Sequence, residues 1–479
     1  MIDVKKIAKN TSLIFLAQVL ISVLGFFTTI FTARYLGVEG FGILSLAVSL
    51  TGIFAVFIDM GFGMFMVREV ARDKTIADKY IPNVALIRLF LSLLTFGLII
   101  LIVYVINYPE LVKIVIYILT FSIIINAFSS IFSSIFQANQ KMEYLSLSML
   151  ITSFSMLLGT LIGVYYRFEI VYFAYLYVFS SILVLLFITF AYFRNFKIPK
   201  FKIDRSIWKP TLKEAWPFGV AAMSGIVYTY IDSIFLSIFK GNTVVGWYSA
   251  AYRLMLVVLF IPGAFNTVIF PVMSPLFKSS VESLKMINER YFKYMLIIGV
   301  PLGFGTTFLA DKIILIIYGA SYSNSIICLQ ILIWTIVFTF IGASFVQVLQ
   351  SINKQLIITK IAGLSVIINI ILNLILIPNY SFIGASIATV LTEIVLVGYI
   401  AYASIKLGYG IKHMDVKKDF TKVLGSSIIM SIFIFYFNSL NLLLLIILSI
   451  LIYLGCLYLF RIFDDTDKFI IKNIFKKSD

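Results

Sequence analysis

Apolar runs of about twenty residues recur along the whole of this 479-residue sequence. As a helix, each run is long enough to cross a hydrocarbon core of about 30 Å. Only 13% of the residues are charged, whereas a soluble protein has roughly 25%. Lipid offers no hydrogen-bond partners to backbone groups, so the spans are predicted to be helices. The pattern indicates an all-α integral membrane protein and excludes a water-soluble one.

The predicted spans number about fourteen. They cover residues 12–33, 41–63, 81–106, 112–136, 144–165, 170–193, 215–239, 247–271, 291–310, 326–349, 361–378, 382–403, 423–439 and 441–460. The first run follows Lys5, Lys6 and Lys9, as the apolar region of a signal peptide would. It is too long for that role, so we interpret it as the first span.

The basic residues test this count. With the N-terminus inside, and with Lys113 and Lys293 at the ends of their spans counted in the adjoining loops, the inner segments carry 31 of the 38 Lys and Arg residues. The outer loops carry five, and Arg88 and Arg253 lie within spans. This distribution follows the positive-inside rule and predicts cytoplasmic termini in a multi-pass protein of the cell membrane. It also explains the net charge of +16 without nucleic-acid binding.

A basic stretch divides the chain at residues 194–213. It carries seven Lys or Arg residues, one acid at Asp204, and Pro199 and Pro210. We interpret it as a cytoplasmic linker that acts as a passive tether between two halves of a transporter. The predicted division is therefore 1–193, a first six-helix lobe; 194–213, the linker; 214–405, a second six-helix lobe; and 406–479, two further helices and a cytoplasmic tail.

Two weak internal repeats agree with this division. Residues 41–45 and 245–249, each at the start of a span, are offset by 204 residues, and residues 137–141 and 350–354 are offset by 213. Two six-span halves in the same orientation explain both offsets, as in transporters built from duplicated units.

Asp232 and Arg253 are the clearest candidates for a functional pair. Each lies about 10 Å inside the predicted outer end of its span, at 1.5 Å per residue, and ionisable residues within the membrane are functional candidates by default. The pair could instead be a structural clamp. In a cavity, Arg253 could contact a phosphate through its planar fork, and Tyr228 and Tyr252 could stack on sugars.

Three other intramembrane charges are candidates. Arg88, near the inner end of the third span, could line the cavity, extend to the inner headgroups or pair with Asp59. Glu393 lies near the middle of the twelfth span, where a lone carboxylate is expected to be protonated or paired. It is the best candidate for coupling to Na⁺ or H⁺. No other cofactor and no metal site is expected, because His413 is the only histidine.

Two segments resemble a known family. They are ARYLGVEGFG at residues 33–42, and NIILNLILIP at residues 369–378 followed by GASIAT at 384–389. With fourteen spans and duplicated halves, they resemble the polysaccharide-biosynthesis flippases, often called Wzx-type O-antigen or repeat-unit flippases. These belong to the multidrug/oligosaccharidyl-lipid/polysaccharide exporter superfamily. The resemblance covers essentially the whole chain, and its motifs mark the family rather than the substrate.

The resemblance implies a V-shaped pair of six-helix lobes with two additional C-terminal helices. It implies a flippase, not an enzyme, which moves a polyprenyl or dolichyl (pyro)phosphate glycan from the cytoplasmic to the outer leaflet. Membrane lipids and a glycan polymerase or ligase would be its partners, and an arginine is expected in the cavity. A cation-coupled multidrug antiporter and a lipid II flippase are the alternatives. The antiporter reading is disfavoured because the first span has no acidic residue.

Overall fold

The computed structural model describes residues 4–197, 202–411, 416–464 and 467, with side chains from Ala17 onward. In these ranges most of the chain is helical and no residue lies in a strand. His413 and the ends of the sequence lie outside the described residues. The helices are α1 Val4–Asp59, α2 Phe62–Arg72, α3 Ala77–Ile106, α4 Glu110–Ala138, α5 Met142–Tyr165, α6 Ile170–Asn195, α7 Trp208–Lys240, α8 Asn242–Val258, α9 Phe260–Ser279, α10 Val281–Ile317, α11 Ser325–Ser351, α12 Gln355–Lys406, α13 Val416–Tyr436 and α14 Leu442–Leu459.

Twelve helical stretches in the described part of the chain are long and apolar enough to cross a membrane. Two of the helices, α1 and α12, each contain one internal residue with non-helical backbone angles. The backbone of α1 leaves helical geometry at Gly37, with φ 67°, and that of α12 does so at Ser381, with φ 54°. Both breaks fall where the sequence predicts a turn between two spans. The predicted total of fourteen spans stays a prediction.

The predicted eighth span, residues 247–271, is divided between two helices at Leu259. Helix α8 ends at Val258 and α9 begins at Phe260. Pro262 has no N–H to donate to the Val258 carbonyl, and its ring crowds that oxygen, so the break has a local cause. Pro217, Pro271 and Pro301, in contrast, lie inside continuous helices.

The chain forms two compact units. The first comprises Met1–Ser249 and Asn373–Phe382. Its core is a cluster of buried apolar side chains in which the short helix α2 packs against α3, α4 and α7. One face of α2 is buried through Phe62, Phe65, Met66 and Val70, and the other carries Arg68 and Arg72. Helix α2 is therefore amphipathic.

The second unit comprises Ala250–Leu372 and Ile383–Asp479. Helix α10 lies at its centre, packed on α9, α11, α13 and α14. The end of the chain is attached to it by ion pairs. Lys293 Nζ lies 2.6 Å from Asp467 Oδ2, Arg290 pairs with both Asp464 and Asp467, and Tyr294 donates to Asp467 Oδ1 at 2.8 Å. Burial alone would raise the pKa of Asp464, but the hydrogen bonds from Arg290 and the Asp467 amide, together with the charges of Lys293 and Arg290, outweigh it and lower that pKa.

Candidate functional site

Asp232 lies in a buried polar cluster of the first unit. Its side chain is 1% exposed. Tyr248, at the start of α8, donates its hydroxyl hydrogen to Asp232 Oδ2 at 2.5 Å. Asn373 Nδ2, from the segment of α12 that belongs to this unit, donates to Asp232 Oδ1 at 2.6 Å. Hydrogen bonds to an ionised carboxylate are shorter and stronger than those between neutral groups, so the cluster is suited to hold a buried negative charge or a bound cation.

The other outer-end candidates lie in α7 and α8. Tyr228 belongs to the first unit, whereas Tyr252 and Arg253 belong to the second, and all three side chains are half-buried. The predicted pairing of Asp232 with Arg253 links residues of different units and stays a prediction. Asn373, one of the partners that the structure gives Asp232, was not among the predicted site residues.

Arg88 and Asp59 form an ion pair in the first unit. The Arg88 side chain has no exposed surface, whereas the Asp59 side chain is 41% exposed. Arg88 Nη1 also donates to the Ala127 carbonyl and, at 2.6 Å, to Ser130 Oγ. The Asp59 carboxylate accepts hydrogen bonds from the backbone amides of Gly61 and Gly63 at 3.2 and 3.3 Å. The pair therefore connects the end of α1 to α3, α4 and the start of α2.

Glu393 lies in α12 within a buried polar cluster of the second unit. It is 5% exposed, and Thr339 Oγ1 of α11 donates to its Oε1 at 2.7 Å. Thr392 is fully buried beside it in the sequence, and Asn369 Nδ2 donates to Thr392 Oγ1 at 3.4 Å. Carboxylate, hydroxyl and amide oxygens are hard ligands of the kind that bind small cations. Glu393, the predicted coupling residue, therefore lies among polar side chains.

Within the predicted linker, residues 194–213, helix α6 ends at Asn195 and α7 begins at Trp208, and the residues just before α7 are bound to α3. Asn83, a buried residue of α3, donates through Nδ2 to the Lys202 carbonyl at 3.0 Å. Its Oδ1 accepts from the Asp204 amide and from Trp208 Nε1, both at 2.9 Å. These bonds attach residues 202–208 to α3, and the role of residues 194–213 as a passive tether stays a prediction.

Asp204 adds a charged contact at the same place. Its carboxylate accepts from the Ser206 hydroxyl and pairs with Lys79 at 2.9 Å. Those two hydrogen bonds lower the pKa of Asp204 to about 2. The ionised Asp204 carboxylate therefore adds a charged contact with α3 to the hydrogen bonds that Asn83 makes.

Sequence reasoning missed three residues for different reasons. Asn373 belongs to the segment that carries the family resemblance, so its position was marked but its contact was not. Thr339 is one of many hydroxyl residues in the spans, and nothing in the sequence distinguishes it. Asn83 has a signal that could have been used, because a buried amide at the inner end of a span requires several hydrogen-bond partners.

Comparison with known proteins agrees with the resemblance seen in the sequence. A probable low-salt glycan biosynthesis flippase of Haloferax volcanii is 26% identical over 199 residues, which is 40% of this chain and 42% of that protein. A putative O-antigen transporter of Shigella dysenteriae is 32% identical over 193 residues, 39% of this chain and 47% of that protein. The aligned regions thus span less than half the length of these two relatives.

A solved structure shares the fold. The lipid II flippase MurJ in an inward closed conformation superposes with a TM-score of 0.77 at 22% identity, covering 94% of this chain and 98% of that one. The sequence profile described as polysaccharide biosynthesis protein matches residues 7–277, which is more than half of the chain. The chain belongs to the polysaccharide biosynthesis protein family.

Proposed function

We propose that this protein is a flippase that moves a lipid-linked oligosaccharide from the cytoplasmic to the outer leaflet by alternating access. The glycan would serve the assembly of a surface polysaccharide or of protein glycans, with a polymerase or ligase as the downstream partner. The observation that carries the proposal is the family match over residues 7–277. Transport of this kind needs a polar path and two alternating conformations but no catalytic group, so the protein is proposed not to be an enzyme.

The proposed architecture keeps fourteen spans, cytoplasmic termini and the lobe boundaries predicted from the sequence. The breaks at Gly37 and Ser381 support two additional turns. A contact within the first unit supports the duplication. A β-carbon on Gly42 would overlap the Asn242 carbonyl oxygen, and one on Gly246 would overlap that of Val38. Gly42 and Gly246 are separated by the same 204 residues as the sequence repeat.

We propose Arg253 as the residue that contacts the substrate phosphate, with Tyr228 and Tyr252 beside the glycan. A guanidinium group recognises phosphate through paired hydrogen bonds, and the half-buried Arg253 has surface with which to do so. For Arg88 we propose positioning rather than direct contact, because it is buried against Asp59.

Buried carboxylates support coupling of transport to a cation, Na⁺ or H⁺. Glu393 remains the first candidate and Asp232 the second, because each is buried among polar side chains. The same carboxylates would suit a cation-coupled antiporter of the superfamily, which is the alternative function. A lipid II flippase differs only in the glycan that is carried.

A leaflet assay tests the proposal. The protein is reconstituted in vesicles that carry a polyprenyl diphosphate oligosaccharide on one face, and appearance of the glycan on the other face is followed with a membrane-impermeant lectin. We expect protein-dependent appearance that Arg253→Ala reduces about tenfold, by loss of a charged hydrogen bond. Arg72→Ala, an exposed arginine of α2, is the matched control.

Failure of the intact protein to flip the glycolipid would refute the proposed function. Cation-dependent efflux of a small dye in the same vesicles would then favour the antiporter. If the Arg253→Ala and Arg72→Ala variants flip the glycolipid equally fast, only the proposed role of Arg253 is refuted.

A further inference from the structure

We propose that α5 and α6 form a second binding site for the same class of substrate, where a translocated glycolipid is held at the predicted outer leaflet. Its polyprenyl chain would lie in a groove along the two helices. Its phosphate and first sugar would lie in a polar pocket at their predicted outer ends. The inference rests on the proposed function and adds a site that is separate from Arg253, Asp232 and Glu393.

The groove has a volume of about 660 Å³ and an almost wholly apolar lining. It follows α5 from Ile151 to Ile162, which is about 17 Å at 1.5 Å per residue, or more than half of a hydrocarbon core of about 30 Å. Leu158, in the middle of this stretch, is 57% exposed. A flexible hydrocarbon chain fits a surface of this length and polarity.

Two of the three hydroxyl groups that line the groove, those of Ser155 and Tyr172, are already bonded within the protein, and the third, that of Tyr175, belongs to an exposed side chain. Ser155 donates to Ser180 Oγ at 2.9 Å, and Tyr172 donates its hydroxyl hydrogen to the Gly159 carbonyl at 3.1 Å. Because these hydroxyl groups have protein partners, an occupant needs no hydrogen-bonding groups of its own. This favours a hydrocarbon chain over an extended glycan.

The pocket has a volume of about 620 Å³ and a different chemistry. Its lining includes Glu39, Arg167 and Glu169, all exposed, and none of the three forms an ion pair among the described residues. Tyr35 and Phe168 add aromatic surface. An arginine in this setting can bind phosphate, and carboxylates accept hydrogen bonds from sugar hydroxyls.

The turn that carries Arg167 is fixed before any ligand binds. Arg167 has a left-handed backbone, with φ 57°. The Phe168 amide donates to the Gly163 carbonyl at 2.9 Å, and Tyr35 donates its hydroxyl hydrogen to the Phe168 carbonyl at 3.0 Å. A preorganised turn lowers the entropy cost of binding, so Arg167 is held in place at the pocket before a ligand binds.

Groove and pocket adjoin at a pair of aromatic rings. Tyr172 lines the groove and Phe168 lines the pocket, and their ring centroids are 4.6 Å apart. A ligand that fills both must combine a long hydrocarbon chain with a phosphorylated polar head. Glu39 and Glu169 form no ion pair among the described residues, and both can accept hydrogen bonds from sugar hydroxyl groups, which a headgroup without hydroxyl groups does not offer. The occupant is therefore a lipid-linked glycan.

A photo-crosslinking experiment tests the site. A photoreactive amino acid replaces Leu158 in the groove or, as control, Leu101 of α3, which is similarly exposed to lipid at 56%. The full-length protein is placed in nanodiscs with a radiolabelled polyprenyl diphosphate oligosaccharide. We expect about tenfold more labelled adduct at position 158 than at position 101. We also expect Arg167→Ala to remove most of that excess, because it deletes the phosphate contact.

Lys113→Ala, which removes one positive charge from the same predicted face, should leave the adduct at position 158 unchanged. Equal labelling at the two positions would overturn the proposal. Labelling of position 158 by a radiolabelled phospholipid as strong as that by the glycolipid would overturn it too, because the groove would then hold ordinary membrane lipid. Glycan flipping by the unmodified protein distinguishes failure of this site from failure of the proposed function.

Discussion

Gly42 and Gly246 pack reciprocally in the first unit. Each faces the carbonyl oxygen of the residue four positions before the other glycine, Asn242 for Gly42 and Val38 for Gly246. A side chain at either position would overlap backbone, which cannot move aside as a flexible side chain can. The contact therefore brings the second half of α1 and the start of α8 together in a way that requires both glycines.

Gly42→Ala is expected to destabilise the protein by about 1–3 kcal/mol, the usual cost of overpacking. Gly225→Ala in α7 is the matched control, because no atom lies within 4 Å of a β-carbon built there. In a helix interior that change is expected to stabilise by roughly 0.5–1 kcal/mol. Thermal unfolding of the purified protein measures both. Equal melting temperatures for the two variants would contradict the reciprocal contact.

The Arg88–Asp59 pair is expected to respond asymmetrically to substitution. Asp59→Asn leaves a fully buried guanidinium without its counter-charge, and breaking a buried pair this way costs about 3–5 kcal/mol. Arg88→Met leaves a half-exposed carboxylate that water can solvate, so its cost is expected to be smaller. The double variant should be more stable than Asp59→Asn alone. A double-mutant cycle on thermal unfolding checks this order, and additive single effects would show that the pair is not coupled.

The linker anchor is expected to depend on pH through Asp204. Folding lowers the pKa of this carboxyl from 3.8 to about 2, so its contribution is fully present above the ordinary pKa. It is lost as the pH falls from about 4 towards 2. Hydrogen-exchange protection of the Ser206 amide, which donates to Asp204 Oδ1 at 3.1 Å, measures the anchor. Asp204→Asn should lower this protection at pH 7, and the two proteins should become alike at about pH 2. A difference in protection between the two proteins that stays constant down to pH 2 would show that ionisation of Asp204 is not its cause.

Glu393→Gln is expected to abolish the cation dependence of transport without unfolding the protein, because glutamine keeps the shape but carries no charge. Thr339→Val should shift the half-maximal cation concentration by about tenfold, since a hydrogen bond to a charged group contributes roughly 1.5–3 kcal/mol. Transport rates measured against Na⁺ concentration and pH test both. Unchanged ion dependence in Glu393→Gln would transfer the coupling role to Asp232, for which Asp232→Asn is the corresponding variant.

The ion pairs at the end of the second unit predict a stability effect. Asp467 has no exposed side-chain surface, and Lys293 retains 5%. Asp467→Asn removes the nearest counter-charge of Lys293 and one partner of Arg290, so we expect a loss of about 3–5 kcal/mol. Asp311→Asn is the control, because this half-buried acid forms no ion pair among the described residues. An unchanged melting temperature in Asp467→Asn would show that these ion pairs do not stabilise the second unit.

The sequence by itself determined the class of the protein and the positions of most elements. Run length, polarity and the distribution of Lys and Arg are local properties, and the bilayer permits only helices for such runs. The repeats and the two familiar segments then identified the family without any knowledge of contacts. Even the breaks at Gly37 and Ser381 fall at turns that the sequence predicted.

Only the tertiary structure decided which polar groups meet. Asp232 bonds to Asn373, 141 residues away in sequence, and the linker is held by Asn83, about 120 residues before it. A hydrogen bond between side chains on different helices forms only when the donor–acceptor distance is correct to within a few tenths of an ångström. Hydrophobic periodicity carries no information at that scale. The partners of the candidate residues, and the site on α5 and α6, therefore required the packed structure.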